Sequence, residues 1–374
     1  MWMFGLKTLL ADRGKLATAL VGVVFSVVLI NVQGGLFLGL LRKASLLVEH
    51  GEADVWVGHR RMHNVDFPQD IPRRYLHRIR AVPGVGAAEP YSLGHSVMTL
   101  PSGGFEAVLV IGCDPSHMLG GAWNLAEGDA ADLLRTDGVF VDRSESEKLD
   151  HPRVGDLREI GGRRVRIAGL SDGILGFLVT PYVFTTLDRA HEMLRKPSDV
   201  CSYVLVRLAP GADAAAVCAD IRRCAPELDA HPRDEYARMS IDFWMTRTGL
   251  GISFGSSTLL GLVVGLIVVA QTLYSSVLGR LSEFGTLKAL GAEERHIYHI
   301  LWTQAAVLAG AGSILGLVVV HFIQALFDSP RAPIVVPSWL ALGSCLVVLV
   351  ICLIASWLPY LRVRRVDPVM VLQA

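Results

Sequence analysis

Four long runs of this sequence contain no Asp, Glu, Lys or Arg, and they constrain the fold more than any other feature. The runs cover residues 16–41, 248–279, 296–327 and 332–361. A helix rises 1.5 Å per residue, so about 20 apolar residues cross a hydrocarbon layer of ~30 Å, and every run is longer. The alternative, buried core helices, would require four overlong charge-free helices in one small domain. The sequence therefore predicts a membrane protein with four spans.

The positions of Lys and Arg predict the orientation, because short cytoplasmic loops are enriched in these residues. Two residues, Arg42 and Lys43, favour the opposite orientation. Nine residues fall on one side if the segment between spans 1 and 2 is outside: Lys7, Arg13, Lys15, Arg280, Lys288, Arg295, Arg362, Arg364 and Arg365. We therefore expect a multi-pass protein of the bacterial plasma (inner) membrane, with cytoplasmic N and C termini. The first apolar run is too long for a signal-peptide core, which predicts an uncleaved anchor.

The segment between spans 1 and 2 alternates short strands with short helices. "EADVWVG" predicts a strand, and "IPRRYLHRIRAVPGV" predicts a helix that turns Leu76 and Ile79 inward. "VGDLREIGGRRVRIAGL" predicts a hairpin across Gly161 and Gly162, and "GVFVDRSESEKL" predicts a strand followed by a helix. The predicted fold class is four transmembrane α-helices with a mixed α+β extracytoplasmic domain inserted between spans 1 and 2.

The chain divides into nine predicted segments. They are a cytoplasmic N-terminal segment (1–15), transmembrane helix 1 (16–41), the extracytoplasmic α+β domain (42–247), transmembrane helix 2 (248–279), a cytoplasmic loop (280–299), transmembrane helix 3 (300–327), a short outer loop (328–337), transmembrane helix 4 (338–361) and a cytoplasmic tail (362–374).

Composition and motifs argue against several functions. The 35 basic and 35 acidic residues cancel, which gives no reason to expect nucleic acid as a partner. No Walker A pattern, G-x4-G-K-[ST], occurs, so we expect no ATP hydrolysis by this chain alone. His59 and His63 have helical i, i+4 spacing, but nothing nearby completes a ligand set, and we predict no metal site.

Four cysteines lie in the predicted outer domain, and an oxidising compartment would allow one or two disulfides among them. They are Cys113, Cys201, Cys218 and Cys224. Cys218 and Cys224 lie on or beside one helix, which is a poor geometry for a bond between them. The connectivity stays open.

Small residues recur one helical turn apart in the spans. "GISFG" fits the G-x-S-x-G pattern of a hydrolase, but that pattern has meaning only at a strand-to-helix turn with acid and His partners. Pairs spaced by three residues let helix backbones approach closely in lipid. We therefore predict helix packing or dimer contacts at Gly251, Gly255, Gly261, Gly265, Gly312 and Gly316, and in the same way at Gly35 and Gly39. Uncharged polar residues in the spans, such as Asn31 and Gln324, are expected to form hydrogen bonds between helices more often than to line a pathway.

The stretch "LSEFGTLKALGAEERHI" between spans 2 and 3 predicts a short capped helix. Ser282 can cap its N terminus, Glu283 and Lys288 suit the two ends of the helix dipole, and Gly291 is a natural stop. Phe284, Leu287 and Leu290 recur every three residues and form one apolar stripe. A simple interfacial turn needs no such stripe, whereas a helix that docks into a partner's groove does. Glu293 and Glu294 then begin the helix that continues into span 3.

This stretch resembles the conserved segment of MacB/FtsX-type ABC transporter permeases, in which an R-x-x-E-[FI]-G-x-x-[KR]-A-[LI]-G-A run precedes a Gly-rich span. The residues that match in order are Arg280, Glu283, Gly285, Lys288, Ala289, Leu290 and Gly291. The layout of four spans and the C-terminal "LPYLRVRRVDPVMVLQ" are also similar to the family. The N-terminal "FGLKTLLADRGKLATALVGVVFSVVL" resembles the DevC-like branch.

The resemblance implies a permease that works as a homodimer with two copies of a cytoplasmic ABC ATPase, in some members with an outer adaptor or membrane-fusion protein. ATP and Mg would be bound by that ATPase, and this chain would hold no cofactor. The ATPase-coupling helix would comprise Glu283, Phe284, Gly285, Leu287, Lys288, Leu290 and Gly291. The resemblance further implies export or extraction of a lipid, haem, lipoprotein or small molecule by mechanotransmission.

Two other classes of function stay open. One is an ATP-driven transmembrane force or signal transmitter that regulates an outer partner enzyme and transports nothing; it would share the same spans and coupling helix. The other is a membrane-anchored enzyme, which would need a convergent acid/base or metal set in the outer domain.

Overall fold

The computed structural model describes residues 13–134, 137–177, 180–278, 286, 293–329, 332–357 and 360–361. These residues form two compact units. One comprises residues 40–250, and the other comprises the residues on either side of it. We call them the inserted domain and the membrane unit.

The helices of the membrane unit are long, whereas those of the inserted domain are short. The long helices are α1 (Arg13–Ala44), α7 (Leu250–Leu278), α8 (Glu294–Phe327) and α9 (Ser338–Ala355). The short helices are α2 (Leu46–His50), α3 (Tyr75–Arg80), α4 (Leu187–Leu194), α5 (Ala214–Cys224) and α6 (Arg233–Thr246). The 3-10 turns are Ala130–Leu134 and Arg143–Glu145.

The inserted domain contains twelve strands among its described residues. They are β1 (Val55–His59), β2 (Ile71–Pro72), β3 (Val85–Thr99), β4 (Phe105–Cys113), β5 (Leu125–Glu127), β6 (Gly138–Asp142), β7 (Leu157–Ile160), β8 (Arg163–Ser171), β9 (Tyr182–Thr186), β10 (Val200–Cys201), β11 (Tyr203–Leu208) and β12 (Leu228–Pro232). Ten of them form one sheet in the order β12-β1-β11-β3-β4-β9-β6-β8-β5, with β7 beside β3 and β8.

Strand β3 is the longest strand and belongs to two halves of the sheet. Its residues Val85–Tyr91 pair with β11, and its residues Ser92–Thr99 pair with β4 on the other edge. The β1, β11 and β12 half packs α3 and α5 through buried residues such as Ile79 and Ile221, and the β4, β6, β8 and β9 half packs α4. Between them, Trp56 contacts Tyr91 and Tyr203 edge-on, with ring centroids 5.7 and 5.5 Å apart.

Most of the predicted local elements of the inserted domain are confirmed. Leu76 and Ile79 are buried on α3, and β7 and β8 form the predicted antiparallel hairpin. Gly161 and Gly162 close that hairpin with φ of +60° and +85°, which two-residue turns of this kind require.

The helix predicted after β6 is wrong, because only a 3-10 turn follows the strand. The buried carboxylate of Asp142 accepts hydrogen bonds from the Ser144 amide at 2.9 Å and from the Ser171 hydroxyl at 2.9 Å. It also accepts from the Ile174 amide at 2.8 Å. These bonds connect the chain to β8 and to the loop after it. A helix at this position would break them, and the polar sequence that follows has no apolar stripe whose burial would compensate.

In the part of the chain that the structure describes, four helices are long and apolar enough to cross a membrane, in agreement with the predicted number of spans. They cover Arg13–Ala44, Leu250–Ser275, Tyr298–Phe327 and Ser338–Ala355. The inserted domain lies between the first and the second. Helix α1 contributes Val23 and Val27 to the buried core of the membrane unit, where they meet residues of α7, α8 and α9.

Candidate functional site: the span bundle and the start of α8

The predicted coupling residues Glu283, Phe284, Gly285, Leu287, Lys288, Leu290 and Gly291 lie outside the described residues. Thr286, within the same stretch, is helical and exposed. The structure therefore describes the helix that follows this stretch, α8, and only Thr286 of the stretch itself.

Helix α8 begins directly after this stretch with a reciprocal cap. The Glu293 carboxylate accepts a backbone hydrogen bond from the first turn, and His296 Nδ1 accepts the Glu293 amide at 3.2 Å. Arg295 also forms an ion pair with Glu293. The two capping interactions satisfy amides that a helix start otherwise leaves unpaired. The prediction that Glu293 and Glu294 begin the helix of span 3 is confirmed.

From this cap α8 continues for 34 residues, a rise of about 51 Å at 1.5 Å per residue. At its far end, Gln324 Nε2 donates to the Ile334 carbonyl at 2.8 Å, and Asp328 Oδ1 accepts the Ile334 amide at 3.1 Å. The Val335 amide then donates to the Gly35 carbonyl of α1 at 3.1 Å. The short loop after α8 is therefore fastened to both α8 and α1.

Glycines set the packing of α1 against its neighbours. A Cβ atom added at Gly312 or Gly316 of α8 would lie 2.7 Å from Val23 Cβ or 2.8 Å from Val27 Cβ. On α7, a Cβ at Gly261 or Gly265 would collide with Leu29 or Ser26. These four glycines of the predicted set thus lie where α1 comes closest, and van der Waals contact at such points drives association of helices in lipid.

The remaining predicted glycines differ in their surroundings. Gly35 and Gly39 of α1 face the loop after α8, close to Ile334 and Pro333. A Cβ at Gly255 would meet nothing within 4 Å among the described residues, and Gly251 lies half-buried in the first turn of α7. Ser253 lies inside helix α7 rather than at a strand-to-helix turn, so it lacks the setting of a hydrolase nucleophile.

Polar contacts join the helices as well. Asn31 of α1 donates to the Ser344 hydroxyl of α9 at 2.7 Å and to the Val27 carbonyl at 2.8 Å. Among the described residues of both units, no group of three or more His, Cys, Asp or Glu is placed to hold a metal ion. His59 ends strand β1 rather than lying in a helix with His63.

A cluster of aromatic side chains lies at residues that the sequence did not single out. Four aromatic residues gather where α8 begins and α9 ends: Tyr298, Trp302, Trp357 and Tyr360. Tyr298 contacts Trp302 and Tyr360 with ring centroids 4.9 and 5.2 Å apart. Trp302 is 41% exposed and Trp357 is 52% exposed. The i, i+4 spacing of Tyr298 and Trp302 beside a charged helix start was the available signal, because Tyr and Trp collect at membrane interfaces.

Comparisons with known proteins place this arrangement in a family. Residues 16–223 match the MacB-like periplasmic core domain, and residues 255–368 match the FtsX-like permease C-terminal domain. An ABC transporter permease of Mycobacterium tuberculosis strain H37Rv is 28% identical over 327 residues, which cover 86% of this chain and 82% of that protein.

Two further relatives are more distant or shorter matches. The macrolide export ATP-binding/permease protein MacB of Wolinella succinogenes is 31% identical over 134 residues, which cover 35% of this chain and 20% of that protein. The crystal structure of the periplasmic region of MacB from Actinobacillus actinomycetemcomitans superposes with a TM-score of 0.39 and 7% identity, over 50% of this chain and 93% of that one. The family matches cover both the inserted domain and the last three spans, and the chain therefore belongs to the MacB/FtsX-type ABC transporter permeases.

Proposed function

We propose that this permease couples ATP hydrolysis by a separate ATPase to the export or extraction of a hydrophobic or amphiphilic substrate by mechanotransmission. Family membership implies an ABC ATPase partner. The proposed assembly contains two permease copies and two ATPase copies in the bacterial inner membrane, with both termini cytoplasmic. The resemblance of the N-terminal sequence supports membership of the DevC-like branch, and an outer adaptor is a further partner that some family members use.

The observation that carries this proposal is the sequence of elements around α8. In the sequence, three residues predicted to form an apolar stripe, Phe284, Leu287 and Leu290, precede the capped helix start at Glu293 by a few residues. Helix α8 then continues for 34 residues to a loop that is hydrogen-bonded to α1. A displacement at the ATPase end would therefore be carried along one helix to α1, whose chain leads into the inserted domain.

The outer surface of α7 supports a homodimer. Ile252, Leu259 and Leu260 are between 62% and 75% exposed, and Gly255 lies among them with open space over its Cα. A second copy could approach closely at this glycine, as small residues allow in lipid.

The nature of the spans supports an apolar or amphiphilic cargo. A groove of about 490 Å³ between α7 and α9 is lined by Leu266, Ile267, Ala270, Gln271, Tyr274, Ile354 and Ala355. Its lining is apolar apart from one amide and one phenol. Proton and ion pathways instead use ionisable residues within spans, and α7 and α9 contain no Asp, Glu, Lys or Arg.

Co-purification with the candidate ATPase tests the coupling helix. Leu287→Asp places a charge in the apolar stripe and is expected to abolish ATPase association while the permease stays folded in membranes. Thr286→Asp adds the same charge one residue away, off the stripe, and is the matched control. If both variants bind the ATPase as the wild type does, or if the wild type itself does not bind, the coupling assignment fails.

The force or signal transmitter is the second candidate, and the lack of charged residues in α7 and α9 favours it as well. Reconstituted complexes distinguish the two. ATP turnover that moves a fluorescent lipid or hydrophobic dye out of the bilayer supports transport. Turnover that changes protease access to the inserted domain without moving either probe supports force transmission.

A further inference from the structure

A cleft in the inserted domain carries polar chemistry that coupling and transport do not use. It has a volume of about 280 Å³ and is lined by Arg80, Val85, Gly86, Ala87, Ala88, Glu89, Ser116 and His117. One wall is the half of β3 that pairs with β11 only, because β4 joins β3 at Ser92 and beyond. The chain leaving β4 forms the opposite wall and brings Ser116 and His117 across from the end of α3.

Glu89 fixes the imidazole of His117. The Glu89 side chain is only 3% exposed, and its Oε1 lies 2.5 Å from His117 Nδ1. Its other oxygen accepts the Leu119 amide at 3.2 Å. An ionised carboxylate only accepts hydrogen bonds, so Nδ1 is the donor to Glu89. The half-exposed ring then has Nε2 left for a ligand, and no described residue bonds to that atom.

The guanidinium group of Arg80 is anchored through Nε, whereas its two Nη atoms make no hydrogen bond to a described residue. Arg80 Nε donates to the Ala88 carbonyl at 2.9 Å, which fixes the plane of the guanidinium group beside β3. No described residue accepts a hydrogen bond from either Nη atom. A guanidinium group whose paired N–H donors are unused matches the two oxygens of a carboxylate or a phosphate.

The neighbouring groups suit an anion that also carries a donor. Ser116 Oγ donates to Asp114 Oδ1 at 2.6 Å, so the hydroxyl can only accept from a ligand. Glu89 is already occupied by His117 and the Leu119 amide. Among the side chains of the cleft, the Nη groups of Arg80 are therefore free to donate to the anion, and His117 Nε2 and Ser116 Oγ are free to accept from the donor of the ligand.

We propose that this cleft binds a small molecule bearing a carboxylate or phosphate group, gripped by Arg80 and His117, with Glu89 as the positioning residue for His117. The paired N–H donors of Arg80 point to an anionic group rather than to an apolar ligand. The proposal concerns the inserted domain alone and does not depend on the identity of the transported substrate.

Nuclear magnetic resonance of the full chain in nanodiscs, with ¹⁵N-labelled histidine, tests the proposal with inorganic phosphate and acetate as probes. At constant ionic strength, either probe should shift the His117 resonance in a saturable way, and His117→Gln should identify that resonance. Arg80→Gln should weaken binding by about 10-fold or more, because it removes charge-assisted hydrogen bonds. Arg78→Gln, two residues earlier on the same helix and outside the cleft lining, should leave binding unchanged.

Glu89→Gln tests positioning separately from binding. The ¹⁵N shifts should report Nδ1 as the protonated nitrogen of the neutral ring in the wild type and a mixture of tautomers in Glu89→Gln. Three outcomes would overturn the proposal. The first is no saturable shift of the His117 resonance up to about 0.1 M probe, a concentration that fills sites of millimolar affinity. The second is an equal loss of binding in Arg78→Gln and Arg80→Gln. The third is an identical response of the His117 resonance to chloride. Because Arg80 is exposed, its variant stays informative even if Glu89→Gln does not fold.

Discussion

Asn31 and Ser344 join the first and the fourth spans through a hydrogen bond of 2.7 Å between two side chains that are at most 2% exposed. The same Asn31 amide nitrogen donates to Val27 of its own helix at 2.8 Å. Both of its N–H groups are therefore satisfied, one of them only by α9.

Ser344→Ala should lower the free energy of unfolding of the membrane unit by about 0.6–1.7 kcal/mol, the range for hydrogen bonds between helices in membranes. The loss arises because one buried N–H of Asn31 is left without an acceptor. Ser356→Ala is the control, since the Ser356 hydroxyl bonds to the Leu353 carbonyl of its own helix. Unfolding in mixed micelles measures both variants. Equal effects of the two, or full additivity of Asn31→Ala with Ser344→Ala, would contradict the coupling.

Gly312→Ala should destabilise the bundle, because its methyl group would lie 2.7 Å from Val23 Cβ of α1. Gly310→Ala, two positions earlier on the same helix, adds a methyl group with nothing within 4 Å among the described residues. It should be neutral or mildly stabilising, since Ala is favoured over Gly in helices by about 1 kcal/mol. Thermal unfolding in detergent compares the pair. If both variants behave alike, the close contact of α8 with α1 is not a determinant of stability.

Stability should also depend on pH through Asp66. Burial raises the pKa of this carboxyl from 3.8 to about 6, and a hydrogen bond from Trp244 Nε1 at 3.2 Å offsets only part of that effect. Well below pH 4 the Asp66 carboxyl is protonated in both the folded and the unfolded state, so it does not lower the free energy of unfolding. Between pH 4 and 6 the unfolded chain ionises first, so stability is lost as the pH rises, by about 2–3 kcal/mol at 1.36 kcal/mol per pKa unit.

Asp66→Asn keeps an acceptor for Trp244 and removes the titration. Its stability relative to the wild type should therefore grow from pH 4 to about pH 6 and then stay constant. Chemical unfolding of the full chain at several pH values, monitored by tryptophan fluorescence, gives this difference. A difference that does not change with pH would show that Asp66 titrates normally.

The cysteines of the inserted domain should react with alkylating reagents in a defined order. All four are free thiols, and only Cys224 is partly exposed. Burial raises the pKa of Cys218 to about 11 and that of Cys201 to about 12, which suppresses the reactive thiolate. Mass spectrometry after brief treatment with iodoacetamide should find Cys224 modified first. Protection of all four without reductant, and reaction only after reduction, would instead indicate disulfides.

Sequence periodicity predicted the features that depend on neighbours along the chain. The charge-free runs gave the four spans, and the Gly-Gly pair gave the hairpin of β7 and β8, because hydropathy and turn geometry act locally. Glu293 was likewise predictable as a helix start. Two glycines of the predicted set, Gly312 and Gly316, lie where α8 approaches α1. No sequence pattern indicated that Val23 and Val27 are the residues opposite them.

The features that escaped prediction depend on distant residues. Glu89 and His117 are separated by 28 positions, and the pairing of Tyr91 with Tyr203 joins strands more than 100 positions apart. The helix predicted after β6 did not form, because the Asp142 oxygens there accept hydrogen bonds from Ser171 and Ile174. The spacing of residues along the chain shows neither which residue pairs with another across a sheet nor which groups compete for hydrogen bonds to a carboxylate.

Strand β3 finally bears on how the inserted domain can respond to a pull. Its 15 residues extend about 50 Å at 3.3 Å per residue, and one unbroken backbone serves both halves of the sheet. A tension applied at the β11 end reaches the β4 end through covalent bonds, with no flexible joint in between. The inserted domain should therefore respond to tension by twisting and bowing as one elastic body, and it should recover its shape when the tension is released.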